Sequence, residues 1–119
     1  MAIMIKGPKE IEVLREGGRR LSRVLNKVAS EVRVGMTKIE IDKMAEELIL
    51  QGGDLPAFKN YKPVGSRIAF PAVLCVSVND EIVHGIPNSY KIKEGDVVGL
   101  DLGIKHAGLY TDMAVTIGV

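Results

Sequence analysis

Two strand-like runs, VVGLDLGI at residues 97–104 and LYTDMAVTI at residues 109–117, decide the fold that this sequence predicts. The short connection KHAG at residues 105–108 joins them, which indicates an antiparallel hairpin. Asp101 and Asp112 each lie in the middle of a run that is otherwise largely apolar. A carboxylate in an apolar strand is unfavourable unless a partner compensates its charge, and two that face each other repel. A bound cation would remove both penalties, so this pair is the strongest functional signal in the sequence.

The apolar faces of the two runs predict one register for the hairpin. If Ile104 pairs with Leu109, the apolar positions of the first run meet apolar or threonine positions of the second, and Asp101 stands opposite Asp112. The glycines two residues to either side of Asp101 would leave room above the sheet for a ligand. Gly108 could host a bulge that alters this register. The alternative interpretation is a pair of solvated aspartates on an exposed strand face.

The composition indicates one small globular domain. The chain has 119 residues, of which 46% are hydrophobic and 26% charged, enough for a real core. The net charge of +1 does not favour nucleic acid or an anionic membrane surface as a partner. The single cysteine, Cys75, excludes an internal disulfide framework, and the first residues lack a signal-peptide pattern. No run is apolar enough to span a bilayer, so we predict a cytoplasmic protein.

The order of the periodic segments predicts an α+β domain. Apolar residues recur at steps of three and four over residues 11–32, which predicts a helix whose Gly17-Gly18 step would allow close approach of a neighbouring backbone. A capping-box pattern at residues 37–40 opens a second helix, and glycines 52 and 53 close it. A proline-rich loop follows at residues 54–71, and strand patterns then continue to the aspartate hairpin. The expected layout places two helices on one face of an antiparallel sheet.

Three stretches carry recognisable motifs: SVNDEIVHGIP at residues 77–87, GDVV at residues 95–98 and GLYTD at residues 108–112. Together with the spacing of the two aspartates, they closely resemble type I methionine aminopeptidases over nearly the whole chain. The resemblance implies the pita-bread fold, in which two related α+β halves surround a dinuclear metal site. Residues 1–119 would then be the N-terminal half of a methionine aminopeptidase catalytic domain.

The resemblance implies a metalloaminopeptidase that removes the N-terminal methionine from nascent polypeptides, with a hydroxide held by two divalent metal ions (Co, Mn, Fe or Zn) as the nucleophile. Asp101 and Asp112 match two of the five metal ligands of the family. The histidine and two glutamates that complete the set have no counterpart before Val119, so we expect an incomplete site in this chain alone. His84 matches a catalytic histidine that contacts the substrate and helps to stabilise the tetrahedral intermediate.

Three further residues match positions that line the family's pocket for the methionine side chain: Tyr61, Phe70 and Cys75. The loop at residues 62–69 is longer than the family's, which affects the alignment of the first of them. Ordinary core packing is the alternative for these three, and local backbone hydrogen bonding is the alternative for His84. His106 is interpreted as a solvated turn residue without a role.

The expected partners are a peptide with an N-terminal methionine and either the missing C-terminal half or a second copy of this chain. A homodimer would bring four aspartates into one site, which suits a hard cation. The alternative function is non-catalytic, as a pita-bread half that binds peptides or proteins or that self-associates. The retained aspartates and His84 argue against this alternative, and the missing half argues for it.

Overall fold

The computed structural model describes residues 3–62, 64–65 and 67–119, and within them it contains two helices and four strands. In chain order these are α1 (Pro8–Glu31), α2 (Lys38–Gln51), β1 (Leu55–Pro56), β2 (Leu74–Val78), β3 (Val97–His106) and β4 (Leu109–Gly118). The predicted α+β order is confirmed, except that the proline-rich loop contains the short strand β1 and that residues 79–96, where strand patterns are predicted to continue, form turns and irregular segments instead of a strand. None of the described helices has the length and apolar character that a membrane crossing requires.

Helix α1 lies across the sheet through one apolar stripe. It begins at Pro8, whose missing N–H is tolerated at the first helical position. Its buried residues are Gly17, Leu21, Leu25 and Val28. A Cβ atom at Gly17 would lie 3.5 Å from the side chains of His106 and Thr111, so the close approach at this step is to hairpin side chains rather than to backbone. The glycine therefore lets the helix pack tightly over the hairpin.

Helix α2 has the predicted start and end. The Thr37 Oγ1 atom accepts a hydrogen bond from Glu40 N at 3.1 Å, and the Glu40 carboxylate accepts one from Thr37 N at 3.2 Å. At the other end Gly52 N donates to Leu48 O at 3.2 Å. These contacts satisfy backbone groups that a helix end leaves unpaired. The inward face consists of Lys38, Ile41, Ala45 and Ile49.

Strand β3 is the centre of the sheet and pairs antiparallel with each of the other three strands. The core lies between the two helices and one face of this sheet. Its strand residues include Leu74, Val76, Leu100, Leu102 and Ile104, all almost fully buried. Within the described residues β4 pairs only with β3, so it forms an edge of the sheet. The predicted layer of helices on one face of an antiparallel sheet is confirmed.

The hairpin register differs by two residues from the predicted one. Ile104 pairs with Thr111 rather than with Leu109. The reason is the turn, in which Ala107 and Gly108 adopt positive φ angles of 49° and 85°. Two successive positive φ angles are typical of the tight two-residue turn whose twist matches that of the strands. Because side chains alternate with a period of two, this shift leaves every side chain on its predicted face.

Candidate metal and peptide site

The two aspartates share one face of the hairpin but do not stand opposite each other, so that part of the prediction is wrong. Asp101 pairs with Ala114, and Asp112 pairs with Gly103. This makes the aspartates diagonal neighbours, whose Cα atoms in an antiparallel pair are about 7–8 Å apart. Their side chains line the same cleft. The diagonal arrangement still brings two carboxyl groups within reach of a common ligand.

Asp101 is held in an electrostatically unfavourable position. Its Oδ1 atom is buried and accepts no hydrogen bond from the described residues. Burial raises the pKa of Asp101 from 3.8 to about 6, and the nearby carboxyl of Asp112 adds to this rise, while His84 acts in the opposite direction. A divalent cation would meet the unpaired oxygen and offset the repulsion between the carboxylates. Hard oxygen ligands of this kind fit such a cation.

The space beside Asp101 is partly filled, which corrects the expectation of open room above both flanking glycines. A Cβ atom at Gly103 would lie 3.0 Å from Phe58 Cε1 and from Ala57 Cβ. The reason is β1, which pairs with Lys105 and Ile104 of β3 and so brings the following residues over the sheet. The Phe58 ring thus forms a side wall of the cleft.

All six residues that the sequence predicts for the site border one cleft of about 560 Å³: Tyr61, Phe70, Cys75, His84, Asp101 and Asp112. The sequence reasoning missed Phe58, Ile68, Ala69, Pro71 and Ile86, which also line it. The chain has only three tyrosines and two phenylalanines. Because aromatic residues are so few, each of them, including Phe58, was a candidate for the wall of an apolar pocket. The rings of Phe58 and Phe70 meet edge to face with centroids 6.3 Å apart, so the apolar wall is a packed aromatic pair.

The two ends of the loop at residues 62–69 lie next to each other at the cleft wall. Asn60 N donates to Phe70 O at 2.8 Å, and Phe70 N donates to Tyr61 O at 2.7 Å. These bonds tie the two ends of the loop together and bring Tyr61 and Phe70 side by side. Residues 63 and 66, which belong to the predicted extra length, lie outside the described residues. The tie explains how a longer loop is compatible with both aromatic residues lining the cleft.

His84 reaches the cleft on a segment that is bound to the edge of β2. Val76 N donates to Gly85 O at 2.9 Å, and Gly85 N donates to Ser77 Oγ at 3.0 Å. A Cβ atom at Gly85 would lie 2.2 Å from Val76 O, so only glycine fits this approach. His84 itself has φ 58°, in the left-handed region that few side chains adopt. The backbone is therefore held in an unusual conformation at a residue that lines the same cleft as Asp101.

The interpretation of His106 as a solvated turn residue is wrong. Its Nδ1 atom lies 2.6 Å from Asp54 Oδ1, and the two side chains are only 18% and 6% exposed. Arg20 of α1 approaches the same carboxylate at 3.5 Å. His106 lies on the helix-facing side of β3, close to Gly17, whereas the cleft opens on the other side. This cluster joins the first helix to the hairpin and is separate from the candidate site.

Cys75 should be a poorly reactive thiol in the native chain. Burial, and then the negative charges of Asp101 and Asp112, raise the pKa of Cys75 to about 11. At pH 8 only about one thiol in a thousand is ionised at that pKa, against about one in ten at the ordinary value of 9.0. We expect alkylation by iodoacetamide, followed by mass spectrometry, to be at least about a hundredfold slower in the native chain than in urea. Equal rates in both conditions would contradict the buried position of Cys75.

The sequence matches the family model for metallopeptidase family M24 over residues 12–119. The chain belongs to this family. It is 43% identical to a methionine aminopeptidase of Helicobacter pylori over 119 residues, which are 100% of this chain and 45% of that protein. This M24 chain thus spans less than half the length of the curated relatives it matches. Membership of a metallopeptidase family indicates divalent metal ions as cofactors.

Solved structures agree with this assignment. The methionine aminopeptidase of Rickettsia prowazekii superposes with a TM-score of 0.91 at 28% identity, covering 99% of this chain and 45% of that one. The methionine aminopeptidase of Thermotoga maritima gives a TM-score of 0.86 at 38% identity, covering 98% and 45%. The resemblance drawn from the sequence motifs is confirmed, and the two helices on the antiparallel sheet are part of a pita-bread fold.

Proposed function

We propose that residues 1–119 are the N-terminal half of a methionine aminopeptidase catalytic domain. In the complete site, this domain removes the initiator methionine from nascent polypeptides in the cytoplasm, where a free buried thiol such as Cys75 stays reduced. The observation that carries the proposal is one cleft that contains two carboxylates, a histidine and an aromatic apolar wall. The relatives named methionine aminopeptidases support the same reaction.

Asp101 and Asp112 are the proposed metal ligands of this half. The unpaired, buried Oδ1 atom of Asp101 supports this assignment, because a cation would complete its contacts. No group of three or more histidine, cysteine or acidic residues suited to a metal occurs in the described part of the chain. Two ions chosen from Co, Mn, Fe or Zn therefore need further ligands from another polypeptide segment. When bound, such ions polarise the scissile carbonyl and activate water.

The aromatic wall is the proposed pocket for the methionine side chain. Tyr61, Phe70 and Cys75 line the cleft together. A thioether side chain is apolar and polarizable, and it packs favourably against aromatic rings at about 0.3–1.5 kcal/mol per contact. Because the raised pKa keeps the Cys75 thiol protonated near neutral pH, the pocket gains no charge from it.

His84 is the proposed catalytic residue that this half supplies. It borders the cleft together with both aspartates, on a backbone that β2 holds in place. A ring N–H placed beside the scissile bond can donate a hydrogen bond to the oxygen on which negative charge develops. Removing one such preorganised donor typically costs about 100- to 1000-fold in rate.

The proposed partners are a peptide with an N-terminal methionine and a polypeptide that completes the ligand set. The exposed edge of β4 and the cleft wall at Ile86, which is exposed, are available to such a segment. We propose either a C-terminal half of the domain or a second copy of this chain in a homodimer. The balanced charge gives no support to a nucleic-acid partner. A purely non-catalytic binding role is not favoured, because the aspartates and His84 occupy the same cleft.

Complementation tests the proposed function. The chain is mixed with a polypeptide that corresponds to the C-terminal half of the Helicobacter pylori methionine aminopeptidase, and size-exclusion chromatography verifies the complex. With Mn²⁺ present, we expect release of methionine from a Met-Ala-Ser peptide by the complex but not by either half, and none after EDTA. His84→Ala should lower the rate by about 100-fold or more.

Two outcomes of this experiment decide between the hypotheses. A complex that forms, retains Mn²⁺ and cleaves nothing would contradict the catalytic proposal. Cleavage by the chain alone, together with a dimer on the column, would identify a second copy as the completing partner. Lys43→Ala, a change on the exposed face of α2, is the matched control and should leave the rate unchanged.

A further inference from the structure

Lys38 is a buried lysine that the proposed function leaves unexplained. It is the first residue of α2, its side chain is 3% exposed, and its Nζ atom lies 2.5 Å from Glu81 Oε1. The same Nζ atom lies 5.7 Å from the centroid of the Tyr90 ring. Lysine is almost never buried without a partner, and a buried ion pair contributes little net stability because desolvation offsets the attraction. A buried pair of this kind is better explained by a structural role, in which it fixes the position of the segment that contains Glu81.

Glu81 belongs to the segment that carries His84. Besides the contact with Lys38, its Oε1 atom accepts a hydrogen bond from Val78 N at 3.1 Å, which closes the turn after β2. The next attachment of this segment is at Gly85, which is bound to β2. Between the two attachments the side chains are exposed, with Ile82 at 90%. Among the described residues, the backbone around His84 is thus held at Glu81 and at Gly85.

We infer that Lys38 and Glu81 are positioning residues for His84. The inference rests on the proposed role of His84 in contacting the substrate. A left-handed backbone at a histidine persists only where its surroundings hold it. The attachment at Gly85 restrains one end of the segment, and the pair restrains the other. Without the lysine, the Glu81 carboxylate, which is 42% exposed, turns to water and the segment loses its second attachment.

The lysine acts from a rigid element, which makes it suited to this task. The backbone of Lys38 is fixed by the capped first turn of α2, and its N–H donates to Tyr90 O at 3.1 Å. The charge of a second lysine, Lys93, lies at the same distance of 5.7 Å from the Tyr90 ring. Of these two lysines, Lys38 forms the ion pair with Glu81. The two therefore differ in whether they contact the segment that carries His84.

The test replaces Lys38 with methionine, which has a similar length and no charge. Because Glu81 is 42% exposed and can turn to water, Lys38→Met leaves no buried charge without a partner, and the variant is expected to fold with nearly wild-type resistance to urea. Hydrogen exchange followed by NMR should then show the amides of Gly85 and Val76 exchanging at least about tenfold faster, with the His84 ring signals broadened or doubled. The amide of Leu100 in the centre of the sheet should keep its wild-type rate.

Matched variants separate positioning from a general effect of charge. Lys93→Met removes the other cation beside Tyr90 and should leave the Gly85 exchange rate unchanged. Lys38→Arg keeps the charge and should restore most of the protection. If Lys38→Met fails to fold, Glu81→Gln, a change at the exposed partner, should still accelerate exchange at Gly85 by several-fold.

The outcomes distinguish this inference from the proposed function on which it rests. If the amides of Gly85 and Val76 exchange at the wild-type rate in folded Lys38→Met and in folded Glu81→Gln, the positioning role is overturned. Faster exchange together with a lower kcat and an unchanged KM in the complemented enzyme would support both proposals. Faster exchange with an unchanged kcat would support the positioning of His84 and contradict its catalytic role.

Discussion

Asp101→Asn is expected to stabilise the metal-free chain at pH 7 and to weaken metal binding by the complemented site. The pKa of Asp101 is raised from 3.8 to about 6, chiefly by burial. A carboxyl whose pKa is raised on folding contributes its full stability below about pH 4 and loses it as the pH rises through 6. The full shift corresponds to about 3 kcal/mol, and screening by water at this half-buried carboxyl reduces it to about 1–2 kcal/mol. The variant removes this loss, since asparagine does not ionise.

Urea unfolding in EDTA at pH 4 and pH 7 measures the expected change in the free energy of unfolding. The variant should match the wild type at pH 4 and exceed it by about 1–2 kcal/mol at pH 7. Titration of the complex with the C-terminal half by Mn²⁺ measures the loss of metal affinity, because a ligand that binds only the folded protein stabilises it. We expect the variant to lose at least about a hundredfold in Mn²⁺ affinity, as removal of a ligand should exceed the effect of removing an outer partner.

Asp80→Asn is the matched control, because Asp80 lies in an exposed turn away from the cleft lining. It should change neither the pH dependence nor the Mn²⁺ affinity. If Asp101→Asn instead behaves like this control in both measurements, the aspartate pair is not a metal site, and the electrostatic basis of the proposed function is lost.

Local pattern predicts which face each hairpin residue occupies, but it does not predict the register. Alternation fixes the face of Asp101 and of Asp112, and both line the cleft as expected. A shift by two residues preserves every face, so apolar matching cannot distinguish the two registers. The turn decides between them, and its first residue is Ala107, which rarely adopts the positive φ that it has here. Nothing in the local sequence signals that conformation.

The contacts that the sequence reasoning missed join residues far apart in the chain. His106 meets Asp54 across 52 residues, and Lys38 meets Glu81 across 43. Such pairs have no periodic signature, because each requires two elements to be placed before the side chains can meet. Phe58 is similar, since it lies over Gly103 only because β1 pairs with β3. The motif around His84 could be found from sequence, whereas the Lys38–Glu81 contact that restrains its segment could not.

Gly85→Ala is expected to destabilise the fold and to displace His84. The added Cβ atom would lie 2.2 Å from Val76 O and 2.9 Å from Ser77 Cα, and backbone atoms cannot move aside as a flexible side chain can. The segment must therefore retreat from β2 and give up its hydrogen bonds to Val76 and to Ser77 Oγ. Overpacking of this kind costs about 1–3 kcal/mol and each of the two lost hydrogen bonds about 1 kcal/mol, so we expect a loss of about 3–5 kcal/mol in urea.

Gly18→Ala is the matched control for the same chemical change. A Cβ atom at Gly18 meets nothing within 4 Å, and alanine in a helix interior is about 0.5–1 kcal/mol more favourable than glycine. The two substitutions should therefore shift stability in opposite directions. In the complemented enzyme Gly85→Ala should also lower kcat, because His84 moves with its neighbour, whereas Gly18→Ala should not. Wild-type stability of Gly85→Ala would mean that the segment does not rest against β2, and His84 would then have no fixed position beside the aspartates.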